Sequence, residues 1–468
     1  MTTLLISFLV VTAFAQTPTQ PAPVAGPWTG AIAVQGLTIK MTVTFGGAAD
    51  ALTGTVDIPQ QGAKGIVLRA VTRTGAQVRF ELPAAVVAVF DGRLDGDRIE
   101  GTFTQGPATG TFTLTRGNQV VEPPAPPTPR PPYRIGAMTV TNGDVSLAGT
   151  LTLPEGPGPH PAVVLVTGSG AQNRDEEILG FKVFAVLADH LTRQGVAVFR
   201  YDDRGVGEST GNIATSTTAD FATDALAAIA QLKAVPTIDA TRVGIVGHSE
   251  GGSVAAIAAA QSVDVAFIVM LAGPGIPGDV VTRAQAADAA RDLLGATEAQ
   301  VEAIVTAHRA MTAAIKAGAP SETLAERVKA LLGAQYDSQP PAAKAALGDR
   351  AAFVEKQYGQ AVRSLATPWM KYFLAFDPAE ALRRVTVPVY AAFGALDTQV
   401  PPATNEAPVR TALAGNPRAT VKVYPEANHL FQKAKTGQVT EYALLDKAFV
   451  APLLDELSSW ILSVTGAR

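Results

Sequence analysis

The stretch from Arg242 to Ala260 constrains this chain more than any other. Arg242-Val-Gly-Ile-Val246 is a short apolar run of strand character, and Gly252 to Ala260 is a run of small residues that favours helix. Between them stand Gly247-His248-Ser249-Glu250-Gly251. The pattern predicts a buried strand that turns sharply into a helix, with Ser249 at the tip of the turn. A serine held there has an unfavourable backbone, so its neighbours must be very small. Gly247 lets the strand approach the helix, and Gly251 with Gly252 lets the first helical turn sit close behind the serine. The pentapeptide alone is weak evidence, because G-x-S-x-G arises by chance in Gly-rich chains and this one has 43 glycines. Its strand–turn–helix setting is what gives it weight.

A serine hydroxyl attacks a carbonyl well only when a neutral imidazole takes its proton, and that imidazole must be oriented by a carboxylate. In a strand–turn–helix arrangement the partners follow in the order Ser, Asp or Glu, His, on loops at the carboxyl ends of later strands. Asp397, in Phe393-Gly-Ala-Leu-Asp-Thr-Gln-Val-Pro401, directly follows an apolar strand and is the acid candidate. Asp377 and Glu406 are weaker, since neither directly follows a strand. The base emerges by elimination among five histidines. His160 precedes a strand, His190 falls mid-helix, His308 lies in a helical insertion, and His248 adjoins the serine and cannot easily face its hydroxyl. His429, in Glu426-Ala-Asn-His-Leu430, follows the last strand in the required order. The oxyanion formed by attack needs two backbone N–H donors. One is expected from Glu250, at the positive end of the helix, and one from the loop Gly168-Ser169-Gly170-Ala171, with Ser169 and Gly170 as candidates.

At 468 residues the chain is too long for one ordinary domain. Residues 1–15 carry an apolar stretch from Leu4 to Ala15, too short to span a bilayer, followed by an Ala13-Phe14-Ala15 cleavage pattern. They predict a signal peptide and an exported chain, although the first residues lack a Lys or Arg. From residue 26 to 117, short segments such as Gln77-Val-Arg-Phe-Glu-Leu82 alternate apolar and polar residues. They predict a small antiparallel β-domain, a sandwich or open barrel, of accessory character. Residues 118–134, with Glu122-Pro-Pro-Ala-Pro-Pro-Thr-Pro-Arg-Pro-Pro132, read as a semi-rigid linker. From 135 to 468 apolar strands alternate with helices, which predicts an α/β fold built on a mostly parallel sheet covered on both faces. A stretch of about 100 helical residues, 274–382, interrupts the alternation and reads as a cap. Predicted helices span Phe181 to Gln194, Thr218 to Leu232 and Tyr442 to Val464.

Composition narrows the function. Net charge of −4 and no basic cluster argue against a nucleic-acid partner, and the absence of cysteine excludes disulfides, thiolate metal sites and a cysteine nucleophile. No metal, organic cofactor or integral membrane span is expected. The number of subunits is not legible.

Five stretches resemble the α/β-hydrolase superfamily, and more narrowly its bacterial secreted esterase-like members, often grouped with serine aminopeptidase-like hydrolases. They are Thr167-Gly-Ser-Gly-Ala-Gln-Asn-Arg-Asp-Glu176, Phe199-Arg-Tyr-Asp-Asp-Arg-Gly-Val-Gly-Glu-Ser209, Gly247-His-Ser-Glu-Gly-Gly252, Phe393-Gly-Ala-Leu-Asp397 and Asn428-His-Leu-Phe-Gln432. The resemblance implies Ser249, Asp397 and His429 as a catalytic triad. Arg200, Asp202, Asp203 and Arg204 match a family loop near the site and read as a charge cluster that holds the neighbouring loops. The expected activity is hydrolysis of carboxylic esters through an acyl-enzyme, with small-molecule esters or short peptides as substrates. A peptidase is the near alternative, and a non-catalytic binding protein on the same scaffold is the alternative of another class.

Overall fold

The computed structural model describes residues 24–34, 37–48, 51–58, 63–83, 87–105, 108–117, 131–365 and 367–466. The expected signal peptide and residues 118–130 of the expected linker lie outside this set. The chain divides into two compact units, one running to Val121 and the other from Glu122, apart from residues 59–62.

The first unit is all β. Its strands are β1 (Gly26–Val34), β2 (Leu37–Ala48), β3 (Ala51–Ile58), β4 (Ala63–Val67), β5 (Arg69–Thr74), β6 (Gln77–Leu82), β7 (Ala88–Asp95), β8 (Arg98–Gln105) and β9 (Ala108–Arg116). They pair in the order β4-β3-β2-β1-β9-β8-β7-β6-β5, all antiparallel. The two ends of that order, β4 and β5, are separated in sequence by Leu68 alone, whose N–H donates to the Gly54 carbonyl at 2.8 Å. One kinked strand therefore pairs with β3 through its first half and β6 through its second, and the sheet closes on itself. The expected open barrel or sandwich is a closed barrel, because a single strand serves both edges. Alternate residues point inward, and Phe45, Phe80, Phe90 and Phe112 fill the interior, with the Phe80 and Phe90 rings stacked at 4.6 Å.

The second unit opens with a hairpin, β10 (Tyr133–Asn142) and β11 (Val145–Pro154), turned at Gly143 with φ +57°. There follow β12 (His160–Val166), the two-residue strands β13 (Glu177–Ile178) and β14 (Phe181–Lys182), α1 (Val183–Arg193), β15 (Ala197–Tyr201), α2 (Thr218–Lys233), β16 (Ile238–His248), α3 (Glu250–Gln261) and β17 (Ile268–Leu271). Seven helices come next among the described residues: α4 (Gly278–Leu294), α5 (Glu298–Lys316), α6 (Ser321–Asp337), α7 (Pro341–Leu347), α8 (Arg350–Leu365), α9 (Pro368–Ala375) and α10 (Pro378–Leu382). The chain ends with β18 (Val389–Gly394), α11 (Pro402–Ala412), β19 (Ala419–Tyr424) and α12 (Leu453–Thr465).

Eight strands form one sheet in the order β10-β11-β15-β12-β16-β17-β18-β19. The β10–β11 and β11–β15 pairs are antiparallel and the rest are parallel. Parallel strands need both faces covered, and the side chains of β12 show how. Ala162, Val164 and Val166 pack with α2 and α3, while Val163 and Leu165 pack with α1 and α12. Four of the inserted helices, α4, α5, α6 and α8, enclose a separate apolar core of Ile304, Met311, Val328 and Leu331 among others, while Ala381 and Leu382 of α10 join the core under the sheet. Their starts are written in the sequence: Thr297 and Gln300 form a capping box for α5, and α7, α9 and α10 each begin at proline.

Two helix boundaries differ from expectation. Phe181 and Lys182 belong to a short strand paired with Glu177–Ile178, so the first helix starts at Val183. The last helix starts at Leu453 rather than Tyr442, because Pro452 lacks an N–H and disfavours helix at the residue before it.

Candidate active site

Ser249, Asp397, His429 and the oxyanion candidates each follow the carboxyl end of a parallel strand. Ser249 is the single residue between β16 and α3, with φ 54° and ψ −118°. For a residue with a Cβ this conformation is strained, and the surroundings enforce it. A Cβ on Gly247 would lie 1.9 Å from the Gly251 carbonyl oxygen, and one on Gly251 would lie 2.2 Å from that of Val166. The sharp turn exists only because those positions are glycine. The Ser249 N–H donates to the Leu271 carbonyl at 2.8 Å, which pins the turn to the end of β17.

Asp397 and His429 meet across the loops that follow β18 and β19. His429 Nδ1 lies 2.8 Å from Asp397 Oδ2, with both residues buried. The other oxygen, Oδ1, accepts the backbone N–H groups of Gln399 at 2.8 Å and Val400 at 2.9 Å. A carboxylate holding two N–H donors is an acceptor, so the proton of the His429–Asp397 bond sits on Nδ1, and in the neutral ring the lone pair falls on Nε2. The His429 loop is rigid for a local reason. Asn428 Oδ1 accepts from Leu430 N and Gln432 N, at 3.0 and 2.8 Å, and Glu426 and Phe431 on either side carry positive φ. The weaker acid candidates go elsewhere: Asp377 caps α10, and Glu406 pairs with Arg410 on α11.

The loop after β12 runs beside Ser249, since a Cβ on Gly168 would sit 3.1 Å from that of the serine. The Gly168 N–H is already taken, donating to Glu176 Oε1 at 2.8 Å. Ser169 and Gly170 are exposed on the same loop, and Glu250 supplies the first N–H of α3. The Glu250 carboxylate itself is buried and occupied. Thr218 Oγ1 donates to it at 2.6 Å, and Trp369 Nε1 of the inserted helix α9 donates at 2.9 and 3.1 Å. Burial pushes its pKa upward against these bonds and a further one from the Ser169 side chain.

The charge cluster at 200–204 binds the same loop. Arg200 pairs with Asp175 at 2.9 Å, and Asp202 accepts from the backbone and guanidinium of Arg174. Asp203 accepts from Thr167 Oγ1 at 2.8 Å and Gln172 N at 2.9 Å. Burial pushes the Asp203 carboxyl up to about 8 despite those two donors. Arg204 reaches Asp224 of α2 instead, at 2.7 Å.

Sequence reasoning passed over two residues of this neighbourhood. Both nitrogens of the His248 ring are engaged: Nδ1 lies 2.8 Å from Glu176 Oε1 and Nε2 lies 3.0 Å from the His429 carbonyl oxygen. The pairing joins positions 72 residues apart, so no local pattern announces it. Among the described residues no group of three or more His, Cys, Asp or Glu is placed to hold a metal ion, and no helix is long and apolar enough to cross a membrane.

A sequence model of the α/β hydrolase fold matches residues 161–436, more than half of the chain. This chain belongs to the α/β-hydrolase fold family. The chain is 28% identical over 322 residues to Esterase EstD of Thermotoga maritima, a match covering 68% of this chain and 65%, less than two thirds, of that protein's length. Among solved structures, the Pyrococcus furiosus esterase Pf2001 aligns with a TM-score of 0.45 at 15% identity, covering 75% of this chain and 100% of that one. A dienelactone hydrolase from Anabaena variabilis aligns with a TM-score of 0.38 at 16% identity, covering 71% and 98%.

Proposed function

We propose that this hydrolase cleaves carboxylic esters of small molecules, with Ser249 as nucleophile, His429 as general base and acid, and Asp397 as the group that orients His429. The observation that carries the reading is the His429 Nδ1–Asp397 Oδ2 bond at 2.8 Å, in which the carboxylate is committed as an acceptor and the neutral ring has its lone pair on Nε2. Ser249 attacks the ester carbonyl while its proton passes to His429 Nε2. The oxyanion is met by the N–H of Glu250 and one from Ser169 or Gly170. Collapse of the tetrahedral intermediate expels the alcohol, which takes the proton from Nε2, and leaves an acyl group on Ser249 Oγ. Water then repeats the sequence: it loses a proton to Nε2, attacks the acyl carbonyl, and Ser249 leaves with that proton.

Esters are favoured over peptides by two considerations. An aminopeptidase pocket needs a carboxylate free to bind the substrate amine, and Glu250, the carboxylate next to the nucleophile, has its oxygens engaged by Thr218 and Trp369. The curated relative is named an esterase. Export belongs to the same proposal, supported by the apolar stretch Leu4–Ala15 and the Ala13-Phe14-Ala15 pattern.

The test is a fluorophosphonate probe together with two substrate series, p-nitrophenyl esters of rising acyl length and aminoacyl-nitroanilides. Labelling is expected on the parent chain and lost in Ser249→Ala, with turnover of the esters only. Folded parent protein that takes no label contradicts the serine mechanism, and faster turnover of the anilides contradicts the ester assignment.

A further inference from the structure

Behind the proposed triad lies a second buried His–carboxylate pair, His248 and Glu176, with side chains 2% and 0% exposed. Its protonation follows from its partners. A backbone carbonyl can only accept, so the contact of His248 Nε2 with the His429 oxygen at 3.0 Å puts a proton on Nε2. Glu176 Oε1 already accepts the Gly168 N–H at 2.8 Å, and it is the same oxygen that faces His248 Nδ1 at 2.8 Å. An oxygen that accepts one N–H is placed to accept another, so the ring carries a proton on both nitrogens and the pair is an imidazolium with a carboxylate. Burial opposes the charge on the ring, but the charge and hydrogen bond of Glu176, the His429 carbonyl and the more distant Asp397 together raise its pKa.

The pair touches each moving part of the chemistry. His248 is the residue before Ser249 and ends β16. Its Nε2 holds the main chain of His429, whose ring lies 4.8 Å from its own. Glu176 holds the N–H of Gly168, which occupies that group and leaves those of Ser169 and Gly170 next along the loop. The arrangement also runs against stability. Glu176 has φ +46°, and its second oxygen is buried with no hydrogen-bond partner among the described residues. Both features cost free energy, and strain of this kind persists where surrounding structure over-determines it.

We infer that Glu176 and His248 are positioning residues, a buried ionic pair that fixes the backbone of the base loop at His429 and the oxyanion loop at Gly168 relative to Ser249. The inference rests on the proposed triad. It gives the pair no contact with substrate, so its loss should slow the chemical step and leave substrate binding nearly untouched.

The experiment uses the full chain with Glu176→Gln, His248→Gln and the double variant. Glutamine at 176 keeps an acceptor for Gly168 and His248 but removes the charge. A neutral ring then cannot keep both of its hydrogen bonds while Gly168 keeps its own, and a charged ring is left without a counter-ion. The expected result for each single variant is a kcat on p-nitrophenyl acetate at least about tenfold lower, with KM within about twofold. The double variant should be no worse than the poorer single variant, because the two residues act as one unit. All three should still take the fluorophosphonate label on Ser249, more slowly than the parent. A kcat within about twofold of the parent in a folded single variant overturns the inference, as do losses that multiply in the double variant. Single variants that fail to fold would make the pair a stability element and overturn it too. Failure of the triad reading is seen separately, as a parent chain that neither takes the label nor loses activity in Ser249→Ala.

Discussion

Replacing Asp397 with asparagine changes one atom and, by the geometry of the site, reverses the polarity of the base. The native Oδ1 accepts two backbone N–H groups, from Gln399 and Val400. An asparagine placing its amide there would set donor against two donors, forfeiting two hydrogen bonds worth ~0.5–1.5 kcal/mol each and burying unsatisfied groups besides. The amide therefore keeps its oxygen toward the loop and points its NH2 at His429 Nδ1. That nitrogen must then accept, the ring proton moves to Nε2, and no lone pair remains to take the Ser249 proton. The same wrong-tautomer defect in a serine protease lowers kcat by about 10⁴. We expect a loss of ~10³ to 10⁴ here, which at ~1.36 kcal/mol per decade is about 4–5.5 kcal/mol of barrier. The assay is kcat for p-nitrophenyl acetate at pH 7.5 or so, with fluorophosphonate labelling as a second readout that should slow in step. Because both loop hydrogen bonds survive, the thermal midpoint should stay within a few degrees. A folded Asp397→Asn protein that keeps more than about a tenth of the parent kcat refutes the reasoning.

Two further substitutions probe the frame around the site. Gly247→Ala brings a Cβ to 1.9 Å from the Gly251 carbonyl oxygen, a backbone atom that cannot rotate away. We expect a stability loss of about 1–3 kcal/mol or more and loss of labelling at Ser249, checked by thermal melting and the probe. Parent-like melting and labelling would show that the turn tolerates a side chain. Asp203 keeps its proton in the folded chain up to about pH 8, whereas the unfolded chain releases it near its ordinary value of ~3.9. Between those values the folded state binds more protons, so this group's contribution is complete below about pH 4 and is lost as pH rises through about 8. Asp203→Asn should remove that slope, making the melting temperature of the variant fall less than the parent's between pH 5 and pH 8. Parallel curves would show that Asp203 is ionised in the fold.

What the sequence reveals of the site follows from how local each signal is. Ser249 is legible because the turn that displays it needs glycines within two residues of it. Asp397 and His429 are legible because each follows an apolar strand and only five histidines compete. The parallel sheet shows itself through continuous apolar runs such as Ala162–Val166. Glu176 and His248 leave no such trace. Their meaning depends on a contact across 72 positions, and that between Trp369 and Glu250 spans 119. The predicted helix from Tyr442 overran because apolar spacing continues where Pro452 forbids it. Closure of the barrel was equally hidden, since the segments on either side of Leu68 read as two ordinary short strands and nothing in their alternation says that they bridge opposite ends of one sheet.

That closure has a consequence for what the N-terminal domain can meet. A sheet recruits a further strand, from a peptide or from another copy of itself, by offering a row of unpaired main-chain N–H and C=O groups. Here the margin is split: β4 pairs with β3 and β5 with β6, so any open edge is confined to two short segments on either side of Leu68. Its centre is closed to guests as well, packed with phenylalanine rings. Most of the surface such a barrel presents is therefore side chain, on its outer wall and rim, and can be altered residue by residue while the barrel stands.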